Sequence, residues 1–180
     1  HPAPFPLDEC VQSVVELLAP RAREKQLDLA WRLDPDLPRV VVGDETRVRQ
    51  ILLNLIGNAI KFTDLGGVAV RVRRVTEPDG DGLTIAVEVA DTGAGIAADQ
   101  AATLFADFGQ ADHVVRRKRS GTGLGLAISR QLARAMGGDI EYESRLGQGS
   151  TFTARLSLQV ADWAPMVRLL STERGERRVL

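Results

Sequence analysis

The sequence has almost no cysteine, few aromatic residues and no long apolar run. Its single cysteine, Cys10, cannot form an intrachain disulfide, and aromatic residues make up 4% of the 180 positions. No apolar stretch approaches the roughly 18 residues that a membrane-spanning helix requires, and no signal sequence opens the chain. These absences exclude a disulfide-stapled secreted domain and favour a cytoplasmic one, in which Cys10 is a buried structural thiol.

The sequence also lacks an excess of charge of either sign. Lysine and arginine number 23 against 24 aspartate and glutamate residues, which gives a net charge of -1. Nothing global therefore favours nucleic acid or an anionic membrane, and we expect neither nucleic-acid binding nor direct membrane contact. The 44% hydrophobic content suits a single globular domain.

Hydrophobic periodicity predicts a two-layer α/β sandwich, in which a mixed, mostly antiparallel sheet packs on about three helices. Proline is expected to kink or interrupt the first helix at Pro20. The predicted helices cover residues 7–26, 44–62 and 122–136, with a short one near 99–105, and the predicted strands cover 27–33, 40–42, 68–75, 83–90, 140–143 and 151–158. We expect the domain to span residues 6–160, with residues 1–5 and 161–180 as linkers.

A polar stripe runs along the second predicted helix beside its apolar face. It contains Arg47, Gln50, Asn54, Asn58 and Lys61. Asparagine is a poor residue for a helix interior, so two of them one turn apart need a compensating role. A solvated helix face is one interpretation. The other is that the Asn58 amide oxygen helps to hold a Mg²⁺ ion already chelated by phosphates, while Lys61 contacts a phosphate oxygen.

The segment 91–96, Asp-Thr-Gly-Ala-Gly-Ile, follows a predicted strand. Its glycines allow the backbone to approach a flat ligand, and the Asp91 carboxylate can accept a hydrogen bond from an exocyclic amine such as that of adenine. A turn with permissive glycines would explain the segment equally well. The tetrapeptide Asp-Thr-Gly-Ala also occurs in aspartic proteases, but those enzymes need two such carboxylates and this chain has one copy.

A glycine-rich turn at residues 120–127, Ser-Gly-Thr-Gly-Leu-Gly-Leu-Ala, opens the third predicted helix. Such a turn presents backbone N–H groups and the positive end of a helix to an anion, which suits phosphates. It matches neither the dinucleotide-binding glycine pattern nor the phosphate-binding loop of Walker type. The basic run at residues 116–119 is either a solvated surface or a counter-charge for a triphosphate.

Taken in order, these segments resemble the N, G1, F and G2 boxes of histidine kinases, within the GHKL superfamily of ATPases and kinases. The F box corresponds to residues 104–110, Leu-Phe-Ala-Asp-Phe-Gly-Gln, and residues 147–152 resemble the family's final glycine-containing hairpin. The resemblance covers about residues 5–158. It implies a Bergerat-type sandwich in which ATP lies under a mobile lid, here roughly residues 97–122.

The same resemblance implies the site residues. Asp91 would bind the adenine amino group, Asn58 would coordinate Mg²⁺, and Asn54, Asn58 and Lys61 would form the catalytic set. The implied nucleotide contacts are Asn58, Lys61, Phe62, Asp91, Gly93, Gly95, Ile96, Phe105, Phe108, Gly121, Thr122, Gly123, Leu124, Gly125, Leu126 and Thr151. The sequence departs from the family at Ala106 and Asp107, where Glu-Pro is common, and this departure bears on the F-box contacts.

Position 54 separates branches of the superfamily. Members that hydrolyse ATP carry a glutamate general base one turn before the metal-binding asparagine, and this sequence has Asn54 there. A neutral amide cannot take a proton from water, so transfer to an external nucleophile is favoured. The implied enzyme is a protein-histidine kinase of a two-component system that uses ATP and Mg²⁺. A nucleotide-binding module without transferase activity and a GHKL-type serine kinase remain alternatives.

The implied partners lie outside this sequence. The acceptor histidine belongs on a dimeric helical domain, and neither His1 nor His113 fits its pattern, so we expect that domain before residue 1. A receiver domain of a response regulator is the second expected partner. Residues 177–180, Arg-Arg-Val-Leu, resemble the start of a receiver, which implies a hybrid kinase, although a disordered charged tail is the alternative. We expect the parent protein to be anchored in the inner membrane.

Overall fold

A computed structural model describes residues 1–75, 82–101, 104–105 and 124–161 of the chain. Its helices are α1 (Leu7–Glu24), α2 (Glu45–Phe62), α3 (Ala98–Ala101) and α4 (Leu124–Ala135). Its strands are β1 (Ala3–Pro6), β2 (Asp28–Leu33), β3 (Val40–Gly43), β4 (Gly67–Val75), β5 (Leu83–Asp91), β6 (Asp139–Arg145) and β7 (Gly149–Val160). Apart from β1, each of these elements was predicted from periodicity, with its ends shifted by a few residues.

The strands form one sheet of seven strands in the order β1-β3-β7-β5-β4-β2, with β6 paired to β7. The hairpin β4–β5 and the hairpin β6–β7 are antiparallel, as their turn residues predicted. Among the described strands, β2 and β4 form the parallel pair. The predicted mixed, mostly antiparallel sheet is therefore confirmed, and the ends of β5 and β7 lie side by side at Asp91 and Ser150.

The helices α1, α2 and α4 cover one face of this sheet, with α2 between the other two. The apolar face of α2 is fully buried, as Ile51, Leu52 and Ile56 illustrate, and it packs over the inward residues of β4, β5 and β7. Burying each such side chain contributes about 1.5–3 kcal/mol. Because α2 is the central helix, its polar stripe borders both neighbouring helices. No helix among the described residues is long and apolar enough to cross a membrane.

The first strand was missed by the sequence prediction, which placed residues 1–5 outside the domain. In the structure β1 (Ala3–Pro6) pairs antiparallel with β3, and the Phe5 side chain is 3% exposed. Two prolines in four residues argue against a strand, because proline cannot donate to a sheet ladder. The segment is nevertheless tolerated because β1 is the edge strand, where only one side of the backbone must be paired.

The first helix also differs from its prediction. It is one helix over Leu7–Glu24 that contains Pro20, without the interruption expected there. Leu18 and Ala22 flank the proline and are both buried in the core. This packing continues the helix through a position where one backbone hydrogen bond is missing. The predicted structural role of Cys10 is confirmed, since the thiol is buried and its burial raises its pKa to about 11.

Candidate nucleotide-binding site

The candidate site is built on the second half of α2. The helix begins after Asp44, whose carboxylate accepts a hydrogen bond of 3.2 Å from the Arg47 backbone N–H. Such a cap satisfies one of the unpaired N–H groups at a helix start. Asn54 and Asn58 are partly buried and Lys61 is exposed, as expected for a stripe beside a buried face.

The amide of Asn54 bridges α2 and α4. Its Nδ2 donates a hydrogen bond of 2.9 Å to the Oγ of Ser129, a side chain that is 1% exposed. Its Oδ1 accepts from Asn58 Nδ2 at 3.4 Å. A Cβ on Gly125 would lie 2.9 Å from Asn54 Cγ and closer still to Oδ1, so a side chain there would displace the Asn54 amide. The bridging contact was not predicted, and the catalytic role of Asn54 stays a prediction.

The amide of Asn58 turns its nitrogen toward Asn54, which directs its oxygen to the other side of the amide. Within the part of the chain that the structure describes, no three histidine, cysteine or acidic side chains are grouped as they would be to hold a metal alone. Magnesium usually takes one or two protein ligands and fills its other positions with water and phosphate. One amide oxygen therefore fits an ion that arrives with a nucleotide.

The end of α2 meets the loop that follows β5. Phe62 is 44% exposed, and the Lys61 Nζ lies 5.2 Å from its ring centroid. A Cβ on Gly93 would lie 2.9 Å from Asp91 Oδ1 and 3.0 Å from Thr63 Oγ1, and closer still to the Phe62 carbonyl oxygen. The absence of a side chain at Gly93 therefore allows three predicted site residues, Phe62, Asp91 and Gly93, to converge.

Asp91 is the last residue of β5 and is partly buried. The Gly93 backbone N–H donates a hydrogen bond of 2.8 Å to its Oδ1. Burial raises the pKa of this carboxyl, and the backbone N–H groups of Gly93 and Ser150 act in the opposite direction. A poorly hydrated carboxylate at a strand end is suited to accept a hydrogen bond from a ligand amine.

The register of β7 determines which of its residues lies beside Asp91. Asp91 is paired with Ser150, which is 8% exposed, whereas Thr151 is paired with Ala90. Neighbouring residues of a strand point to opposite faces of a sheet, so Thr151 lies on the face away from Asp91. Ser150 is therefore the neighbour of Asp91 that the sequence analysis did not name, and a nucleotide contact by Thr151 stays a prediction.

The loop 93–96 is fastened to the turn between β6 and β7. The Ile96 N–H donates a hydrogen bond of 2.8 Å to Ser144 Oγ, and the Gly147 N–H donates one of 2.7 Å to the Ala94 carbonyl. Gly95 has φ +67°, and a Cβ there would lie 3.0 Å from the Leu146 Cα. Both its conformation and this close approach require glycine. Hydrogen bonds to β6 and to the turn between β6 and β7 thus fix the loop conformation. The sequence did not indicate this role for Ser144.

Phe105 is anchored between the sheet and α4. Its ring centroid lies 5.9 Å from that of Tyr142, which lies 5.8 Å from that of Phe152. The guanidinium of Arg130 lies 4.6 Å from the Phe105 centroid and donates to Asp139 at 2.7 and 3.1 Å. These contacts are those of an aromatic anchor packed by protein side chains. Arg130 holds it and was not among the predicted residues.

Several predicted residues lie outside the described residues. They are Phe108, Gly121, Thr122 and Gly123, together with the basic run at 116–119 and most of the predicted lid at 97–122. Leu124 is the first residue of α4, and Leu126 is partly buried against the core. The proposed receiver start at 177–180 also lies outside the description.

The fold and these motifs can now be compared with known proteins. Residues 43–160 match the family described as histidine kinase-, DNA gyrase B-, and HSP90-like ATPases. The chain belongs to this family. It is 41% identical over 157 residues to the signal transduction histidine-protein kinase BarA of Escherichia coli K12, which covers 87% of this chain and 17% of BarA. It is 40% identical over 149 residues to hybrid signal transduction histidine kinase B of Dictyostelium discoideum, and this match covers 83% of this chain and 8% of the relative.

Solved structures agree with this assignment. The chain superimposes on full-length ShkA in complex with AMPPNP with a TM-score of 0.73 at 40% identity, covering 89% of this chain and 32% of ShkA. It matches the nucleotide-free catalytic domain of histidine kinase ThkA with a TM-score of 0.66 at 26% identity, and the match covers 87% of this chain and 97% of the ThkA domain. ThkA has also been solved in complex with the response regulator TrrA, with a TM-score of 0.65 at 26% identity and 87% and 41% covered. The resemblance to histidine kinase catalytic domains of GHKL type is confirmed. The chain spans less than a fifth of the curated relatives described above.

Proposed function

We propose that this domain binds ATP with Mg²⁺ and supplies the γ-phosphoryl group to a histidine on a separate dimerisation domain, in two-component signalling. The observation that carries the proposal is the meeting of the α2 end with the loop 91–96. The end of α2 carries an amide oxygen and a lysine, and the loop that it meets carries a carboxylate; these groups suit a metal, phosphates and an amine respectively.

Each of these side chains has a distinct task in the proposal. Asp91 accepts a hydrogen bond from the adenine amino group, and its burial makes that bond worth more than it would be in water. Asn58 offers its oxygen to the metal, and Lys61 offers its charge to the phosphates. When bound, Mg²⁺ neutralises the charge that develops on the transferring phosphates. The glycines at 93 and 95 let the loop pack closely against the end of α2 and the turn between β6 and β7, and this packing fixes the loop backbone where the base is proposed to bind.

Transfer is favoured over hydrolysis because the side chain at the position of the expected general base, Asn54, is neutral. Asn54 has no carboxylate to take a proton from water, and its nitrogen already donates to Ser129. Water bound near the phosphates would therefore not be activated at this position. A nucleophile brought by another domain, such as an imidazole, is neutral at physiological pH to a useful degree and needs no such base.

The partners follow from the family and are proposals for the parent protein. An acceptor domain that carries the reacting histidine is one, and a response regulator receiver is the other. The complex of ThkA with TrrA supports the second, and the kinship with a hybrid kinase supports a receiver within the same parent protein. Anchoring of the parent protein in the inner membrane likewise stays a prediction.

The test is transfer of label from γ-labelled ATP to a separately supplied dimerisation domain, together with an assay of released phosphate. We expect label on the acceptor, little phosphate release, and loss of labelling in Asn58→Ala. Gln50→Ala is the matched control, because it removes an exposed amide from the same helix two turns earlier and should leave labelling unchanged. Nucleotide binding without transfer would identify a binding module, and steady phosphate release an ATPase.

A further inference from the structure

Lys25 is the residue that follows α1, and its side chain reaches the end of α2. Its Nζ donates hydrogen bonds of 2.9 Å to the Ile60 carbonyl, 3.0 Å to the Lys61 carbonyl and 2.6 Å to the Thr63 carbonyl. The side chain is 33% exposed. No motif of the sequence pointed to it.

Lys25 follows one helix, α1, and its side chain caps the C-terminus of another, α2. The last carbonyls of a helix have no N–H partner within it, and they form the negative end of the helix dipole. A lysine ammonium has three N–H donors and no acceptor, so three carbonyls match its donors in number. The nearby Asp64 carboxylate lies 3.4 Å from Nζ but is 98% exposed, so this ion pair adds little.

The turn that Lys25 holds carries two residues of the candidate site, Lys61 and Phe62. On its other side, the Phe62 carbonyl accepts a hydrogen bond of 3.5 Å from the Ala94 N–H and limits position 93 to glycine. The turn is thus held between Lys25 and the loop after β5. A change at Lys25 would reach that loop through the backbone of the turn.

We propose that Lys25 is a positioning residue for nucleotide binding: it fixes the last turn of α2 so that Lys61, Phe62 and the loop at 93–94 present a preformed site. This inference rests on the proposed function, because it assumes that the site binds a nucleotide. A residue that only stabilised the fold would change the unfolding temperature but not the affinity of the folded protein.

The experiment compares Lys25→Met with two matched variants of the 180-residue chain. Methionine keeps the apolar stem and removes the donors and the charge. Arg21→Met removes a cation one turn earlier on α1. Arg21 and Lys25 line one open groove of about 500 Å³, which Asn58 and Lys61 also line, so this variant controls for the loss of positive charge near the proposed phosphate position. Arg71→Met removes a partly buried ion pair with Asp34, of 2.8 Å, elsewhere in the sheet, and so controls for lost stability.

Binding of ADP is measured by calorimetry at a temperature where each variant is folded, and amide spectra are recorded without nucleotide. We expect Lys25→Met to bind ADP about fivefold or more weakly and both controls to stay close to wild type. The Ala94 amide signal should move in Lys25→Met and not in Arg71→Met. If Lys25→Met does not fold, Lys25→Gln, which retains an N–H donor group, should show an intermediate affinity.

The outcomes separate this inference from the proposed function. If the wild-type chain fails to bind ADP, the proposed function is wrong, while a shifted Ala94 signal would still support the contact between Lys25 and the loop. If the wild type binds ADP and the Lys25 variant binds it equally well with an unshifted Ala94 signal, the positioning role is wrong. Equal weakening in Arg21→Met or in Arg71→Met would also overturn it, because the effect would then follow the loss of charge or of stability.

Discussion

Replacing Gly125 by alanine tests the contact between α2 and α4 most sharply. Alanine normally stabilises a helix relative to glycine, by up to about 1 kcal/mol. At Gly125, however, the new methyl group would lie 2.9 Å from Asn54 Cγ, well inside the usual carbon–carbon contact distance of about 3.5–4.0 Å. We therefore expect Gly125→Ala to destabilise the domain.

The loss of stability in Gly125→Ala can be estimated from the displacement of the Asn54 amide that the new methyl group requires. The Asn54 amide cannot swing away without breaking its hydrogen bond to Ser129, whose hydroxyl is buried. Leaving a buried polar group unpaired costs about 1–3 kcal/mol, and overpacking a core costs a similar amount. A net loss of about 2 kcal/mol would lower the melting temperature by about 4–8 °C for a domain of this size.

Gly57→Ala is the matched control. Gly57 also lies within a helix, but a Cβ there has no atom within 4 Å. Its replacement should raise the melting temperature slightly, since only the backbone gain remains. The two variants are compared by thermal unfolding without nucleotide, and Gly125→Ala is repeated in an Asn54→Ala background, where its cost should fall. A Gly125→Ala variant that is as stable as Gly57→Ala, or that loses the same stability in both backgrounds, would show that the methyl group does not displace the Asn54 amide.

Three further changes test the site and its support. Asp91→Asn should weaken ATP binding about ten- to a hundredfold by calorimetry, because a charge-assisted hydrogen bond is lost. Because burial raises the pKa of Asp91, wild-type affinity should begin to fall at a pH above the ordinary carboxyl pKa of 3.8 as the carboxylate protonates, and an affinity that is constant across this range would contradict the assignment. Asn58→Ala should abolish the difference between ATP affinities measured with and without Mg²⁺; a difference that persists would place the metal elsewhere. Asp139→Asn should lower the free energy of unfolding by about 1 kcal/mol at neutral pH, since its ion pairs are partly exposed. Arg130 lowers the pKa of Asp139 in the folded state. The stability that Asp139 contributes is therefore present above the pKa of the unfolded state and disappears as the pH falls through the pKa of the folded state. Urea titrations in which the wild type and Asp139→Asn still differ in stability in strong acid would contradict this.

The layers of the fold were predictable because they depend on local periodicity. The hairpin of β4 and β5 alternates strictly, and α2 combines a capping residue at Asp44 with an apolar face that repeats at helical spacing. Strand β1 was not predictable in this way. Its assignment depends on pairing with β3, which lies more than thirty residues further along the chain.

The candidate site was predicted where its chemistry is carried by a motif. Asn58, Lys61, Phe62 and the segment 91–96 lie on the elements assigned to them. The glycines at 93 and 95 closely approach protein carbonyl groups, which the sequence did not indicate, and their predicted approach to a ligand stays a prediction. The pairing of Ser150, and not Thr151, with Asp91 was not predictable, because a sequence does not give strand register and one residue of slip exchanges the two faces of a sheet.

The supporting residues could not have been predicted, because their partners are distant in sequence. Ser129 is 75 positions from Asn54, Ser144 is 48 from Ile96, and Lys25 is 35 from Ile60. Serine and lysine are common residues whose types carry no motif of their own. Their roles arise only when the tertiary structure brings two helices, or a loop and a hairpin turn, into contact.

A crystal structure of this chain with AMPPNP and Mg²⁺ would show whether a nucleotide binds between the α2 end and the loop after β5. We expect the adenine amino group within hydrogen-bond distance of the Asp91 carboxylate and the phosphates beside Asn58 and Lys61. A second cavity, of about 830 Å³, is lined by Ile96, Tyr142 and Leu146 among others. A nucleotide whose phosphates lie beside Tyr142 and Leu146, or an adenine that does not contact Asp91, would contradict this prediction.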